Sequence, residues 1–126
     1  MLPRKLFEQI KERDGHFCLL ALSNCLGEGG VLDHRANRGM GGSKILNHPA
    51  LLVLACSRCN GDKADGTAMV LMELESRGLY IRPDSTHEKT LQRAVQTPVE
   101  GLDGRWWMLI SATERVEVPA PVGGYL

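Results

Sequence analysis

An Asp33-His34 pair, followed farther along by Cys56-Ser57-Arg58-Cys59-Asn60, brings three kinds of chemistry into one short stretch. A neutral imidazole near pH 7 can take a proton from water, carboxylate and amide oxygens suit a hard divalent cation, and paired thiols suit zinc. Between them runs Arg38-Gly39-Met40-Gly41-Gly42-Ser43-Lys44, a basic loop whose glycines let the backbone come close to a phosphate. A base, two metal sites and a phosphate-sized loop thus fall within one short segment.

The thiols come in two pairs. Cys56 and Cys59 have the Cys-x-x-Cys spacing of a zinc half-site, and Cys18 and Cys25 complete a set of four. The six residues between Cys18 and Cys25 make a wider gap than a usual zinc knuckle, and the alternative is a set of buried, inert thiols. A structural zinc would contribute folding free energy directly, so replacing the thiol at 56 or 59 by Ser would unfold the domain.

Fifteen basic residues balance fifteen acidic ones, which excludes a polycation that coats DNA indiscriminately. Any polyanion surface is local. Residues 34–63 carry Arg35, Arg38, Lys44, Arg58 and Lys63 against Asp62 alone, five minus one, or +4. The chain of 126 residues fits one small domain, a size at which a metal or a partner often supplements the core. The longest apolar stretch, residues 50–56, is far short of the roughly 18 residues a membrane span needs. No run resembles a signal peptide, so the expectation is a cytoplasmic protein, and disulfides are disfavoured there.

The elements that must position these groups follow from spacing. Leu6, Phe7 and Ile10 lie at helical intervals in residues 4–13, and Asp14-Gly15 ends that helix. Residues 31–35 form a strand, residues 50–55 a second, buried strand, and residues 60–65 a short helix. Residues 67–77 and 86–95 are helical, with Gly78 and Pro98 as stops and residues 79–81 extended between them. Residues 105–110 and 115–118 make a β-hairpin, ahead of a Pro- and Gly-rich tail. Adjacent residues on a regular strand point to opposite faces, so Asp33 and His34 can share a phosphate only if the strand ends at Arg35-Ala36.

The string Asp33-His34-Arg35, then Arg38-Gly39-Met40-Gly41-Gly42-Ser43, then Leu52-Val53-Leu54 leading into Cys56-x-x-Cys59-Asn60-x-x-Lys63, resembles the HNH endonucleases of the ββα-metal type, particularly those of bacteriophages. The resemblance covers residues 16–66, in the family order. It implies an α+β fold: a small zinc-stapled ββα-metal core with flanking helices and a C-terminal β-hairpin extension. The core with its leading helix and zinc site would occupy residues 1–78, and the helix and hairpin extension residues 79–126. One departure stands out: where the family carries an Asn before the apolar run, this chain has Leu51, with Asn47 and His48 as nearby substitutes.

The resemblance further implies a metal-dependent DNA endonuclease that hydrolyses phosphodiesters. His34 would be the general base, and Asp33 and Asn60 would hold a single catalytic Mg2+ or Mn2+. Cys18, Cys25, Cys56 and Cys59 would hold structural Zn2+, and Arg35, Arg38, Lys44 and Lys63 would contact DNA phosphates. DNA is the implied partner, with phage terminase as a second in genome packaging, and the host bacterial cytoplasm is the implied location of a phage-encoded member. Two rival readings remain at this level. One is a non-catalytic zinc-stabilised DNA-binding module that keeps the fold, and the other an adaptor whose C-terminal hairpin is the working surface.

Overall fold

In the computed structural model, which describes residues 2–37 and 44–121, helix α1 (Arg4–Asp14) opens the chain. Gly15 closes it in the left-handed conformation at φ 87°, donating its N–H to Lys11. The end of α1 is pinned by a buried ion pair. The Arg13 guanidinium bonds Asp14 at 2.7 Å, the Leu52 carbonyl at 2.6 Å and the Ser111 carbonyl at 2.9 Å, while Asp14 accepts the Leu54 N–H at 2.8 Å. One helix terminus thereby holds both sheets.

Strands β1 (Val31–His34) and β2 (Leu52–Ala55) pair antiparallel, from Val31 opposite Ala55 to His34 opposite Leu52. Every residue of β2 is buried, as its unbroken apolar run predicts. The predicted start of that strand, however, is a short 3-10 turn over Pro49–Leu51, capped by Nδ1 of His48, which accepts the Ala50 N–H at 3.0 Å. Helix α2 (Ser57–Ala64) then begins three residues before the predicted position, because the sulfur of Cys56 caps it by accepting the Cys59 N–H at 3.3 Å. Asn60 therefore lies inside the helix, and the cap that an Asn could have provided falls to a thiol.

Helices α3 (Ala68–Ser76) and α4 (His87–Val95) start at Thr67 and Thr86, whose side chains accept N–H groups of their first turns. The expected extended segment at 79–81 is not a strand. Leu79 and Ile81 instead bury their side chains, and Ile81 N–H bonds the Arg35 carbonyl at 2.9 Å. The predicted hairpin is present as β4 (Trp106–Leu109) and β5 (Arg115–Val118), joined by a short β3 (Val99–Glu100) that pairs with Trp106 and Trp107. Among the described residues the domain is thus a small α+β unit of four helices and two small sheets.

A single apolar cluster joins Cys18, Leu20, Val53 and Cys59 to Leu74, Leu79, Val99 and Leu109. Residues from both sides of position 78 thereby share one core, rather than each side having its own. Gly78, at φ 74°, makes this possible: a Cβ there would overlap the Pro98 carbonyl oxygen. Among the described residues no helix is long and apolar enough to cross a membrane.

Candidate functional site

The order strand, connection, strand, helix brings Asp33 and His34 from β1 and Asn60 from α2 to one cleft of about 330 Å3, shared with Asn37, Lys63 and Tyr80. β1 stops at His34, and the chain bends at Arg35 and Ala36, which allows two successive side chains to line the same cleft. The bend is held from below. Arg35 N–H bonds the Leu51 carbonyl at 2.7 Å, and the fully buried Leu51 side chain packs with Ala36, Leu46 and Ile81.

Nε2 of His34 lies 2.8 Å from Oδ1 of Asn47, on the 3-10 turn Lys44–Asn47. An amide oxygen on Nε2 selects the tautomer protonated there, which puts the lone pair of the ring on Nδ1. Of the two residues flagged near Leu51, Asn47 contacts His34, whereas His48 caps a turn.

Asp33 is buried, and its Oδ2 accepts a hydrogen bond from Lys63 Nζ at 2.7 Å. The same ammonium donates to the carbonyls of His34 at 2.8 Å and Leu79 at 3.2 Å. Burial pushes the Asp33 carboxyl above its ordinary range, with the Lys63 charge opposing, and burial pushes Lys63 down, with Asp33 opposing. Asp33 and Asn60 bring a carboxylate and an amide oxygen to the lining of the cleft, with Asp33 Oδ2 engaged by Lys63.

The predicted phosphate-contact residues divide. Arg35 is a correction: its side chain is wholly buried, donating to the carbonyls of Ala50 at 2.6 Å, Thr97 at 2.7 Å and Gly78 at 2.9 Å. It ties the end of β1 to α4 and cannot reach a phosphate. Lys63 is a second correction, since its side chain is 9% exposed and engaged with Asp33 rather than displayed as part of a basic face. Lys44 is exposed, and Arg38 lies outside the described residues, as do Gly39, Met40, Gly41, Gly42 and Ser43. Arg58 pairs with Asp62 at 3.6 Å, so among the described residues of 34–63 the basic side chains do not form a uniform surface.

Cys18, Cys25, Cys56 and Cys59 place their sulfurs within 4.8 Å of one another, which is geometrically compatible with structural zinc. A tetrahedral ion with Zn–S bonds of about 2.3 Å would set the sulfurs about 3.8 Å apart, and Cys25 and Cys56 lie at 4.0 Å. The loop and helix supply N–H donors to the sulfurs: Leu26 and Cys59 to Cys56 at 3.4 and 3.3 Å, and Gly27 to Cys25 at 3.3 Å. Such donors stabilise thiolates. Burial raises the Cys56 thiol, but these amide bonds outweigh it and bring Cys56 to about 6, while burial pushes Cys18 and Cys59 up. The wide Cys18–Cys25 gap is bridged by a compact loop in which Cys18 N–H bonds the Gly27 carbonyl at 2.8 Å.

Charge and spacing alone missed two partners at the site. The Lys63 link to Asp33 left one trace, a basic residue one turn beyond Asn60 on the same helix face, while the Asn47 link to His34 left none beyond proximity to the apolar run. No protein-family model, no curated protein and no solved structure matches this chain.

Proposed function

We propose that this protein is a metal-dependent DNA endonuclease of the HNH, ββα-metal type. The observation that carries the reading is the convergence of Asp33, His34 and Asn60 on one cleft, over a strand-strand-helix unit whose helix is capped by a cysteine of the four-thiol cluster. Nδ1 of His34 takes the proton from the attacking water, and Asn47 holds the imidazole in the required tautomer. Asp33 and Asn60 bind Mg2+ or Mn2+, which when bound neutralises charge on the phosphate and the leaving oxygen. Zinc held by the four cysteines fixes the start of α2 and with it the position of Asn60. Lys44, exposed at the start of the turn that carries Asn47, meets the DNA backbone.

A second reading is a DNA-binding module of the same architecture without hydrolysis, and it draws on the ion pair that Lys63 already makes with Asp33. Supercoiled plasmid incubated with the protein in Mg2+ or Mn2+, with an EDTA control, separates the two. The endonuclease produces relaxed or linear DNA, which His34→Ala abolishes while zinc content and folding persist. Gel retardation without cutting would establish the second reading instead.

A further inference from the structure

Lys63 Nζ has four oxygens within hydrogen-bond distance, the Asp33 carboxylate at 2.7 Å, the His34 carbonyl at 2.8 Å, the Leu79 carbonyl at 3.2 Å and the Arg35 carbonyl at 3.5 Å, and lies over the Tyr80 ring at 5.8 Å from its centroid. A ring of carboxylate and carbonyl oxygens is the environment that hard cations take. The side chains of Asp33 and Lys63 are 5% and 9% exposed, so each is the other's charge partner in a poorly solvated place. Lys63 and Asn60 stand three residues apart on α2, on the same face, and both line the cleft that Asp33 lines. The ammonium therefore engages Asp33 Oδ2 in the cleft that Asn60 also lines.

We propose that Lys63 is a tethered competitor for the divalent cation: its ammonium holds Asp33 until an ion displaces it into the open cleft. This rests on the reading of Asp33 and Asn60 as the divalent-ion ligands. Lys63 holds the buried carboxylate in place without metal, and it lowers the affinity of the site for free ions. The four-carbon stem permits the exchange, because a change of rotamer alone moves Nζ off Asp33 while α2 stays still.

The test is Mg2+ binding by the zinc-loaded chain, measured calorimetrically without DNA. Lys63→Met should bind Mg2+ about tenfold more tightly than the wild type, since a unit positive charge a few ångströms away is removed. Adding Asp33→Asn to that variant should abolish the binding. Equal or weaker Mg2+ binding by a folded Lys63→Met would overturn the proposal.

Because Lys63 also satisfies buried carbonyls, a second measurement uses the wild type alone. The Lys63 ammonium, slow to exchange in its buried site, should give a side-chain 1H–15N resonance that is lost as Mg2+ saturates the protein. Persistence of that resonance at saturation refutes displacement. The plasmid assay is read independently: cutting with an unresponsive Lys63 overturns the competition but not the nuclease, and a displaced Lys63 without cutting overturns the nuclease alone. Absence of Mg2+ binding in the wild type and in Lys63→Met overturns both.

Discussion

The side-chain amide of Asn47 reaches Nε2 of His34 at 2.8 Å, so a turn residue before β2 orients the imidazole from across the connection. The position where the HNH pattern has its middle Asn is instead Leu51, a fully buried core residue. Asn47→Ala should slow plasmid cleavage roughly 10- to 100-fold, less than the roughly 10²- to 10⁴-fold that loss of a general base costs. Asn47→Asp keeps an acceptor but adds a negative charge that favours the imidazolium. Since only the neutral ring accepts a proton, the acidic limb of the pH–rate profile should then move to higher pH. An unmoved limb would remove Asn47 from the mechanism.

Zinc uptake should release fewer than four protons per ion at pH 7.5. Cys56, at about 6, is already a thiolate there, whereas Cys18 and Cys59, pushed up by burial, lose their protons only when an ion compensates the charge. Below pH 6 Cys56 is protonated too, so the number released rises toward four and affinity falls. Calorimetry in buffers of different ionisation enthalpy counts these protons. A release of four at pH 7.5 would contradict the assignment of Cys56 as the preformed thiolate.

Much of this arrangement was legible before the structure. Apolar spacing marked α1 and α3, the run Asp84-Ser85-Thr86 ahead of Glu88 and Lys89 marked the start of α4, and the order of the segments gave two strands followed by a helix. What escaped shares a cause. Arg35 and Lys63 bond mainly backbone carbonyls, and a carbonyl acceptor at position 50, 79 or 97 has no signature in residue type. Counting charges therefore assigned both to the surface. The two-residue β3 was invisible for a related reason: it exists through its pairing with Trp106 and Trp107, and two residues carry no periodicity. The early start of α2 was hidden because thiols are not ordinary caps.

Arg35 should behave as a structural residue. Arg35→Met leaves the carbonyls of Ala50, Gly78 and Thr97 without their donor inside the core, a loss of about 2–5 kcal/mol of stability. Arg35→Lys keeps the charge but not the fork that spans three acceptors, so it should also lower the urea midpoint, by less. The salt dependence of DNA binding by a still-folded Arg35→Lys should match the wild type, because no phosphate contact is lost. A shallower salt slope with an unchanged midpoint would return Arg35 to the DNA interface.

Gly78 carries a double constraint that makes it the sharpest test of the shared core. Its φ of 74° costs any L side chain roughly 1–2 kcal/mol. A Cβ would also strike the Pro98 carbonyl, backbone that cannot rotate away. Gly78 O receives the Arg35 Nε–H at 2.9 Å, and Leu79, next along the chain, supplies a carbonyl to Lys63. Displacing this turn therefore disturbs both internal cations at once. Gly78→Ala should lower the melting temperature more than Gly30→Ala, where an added Cβ meets open space and φ is ordinary. Gly78→Ala should also loosen Lys63, seen as faster exchange of its ammonium protons in NMR, whereas equal stability of the two variants would mean that α3 and β3 can separate without cost.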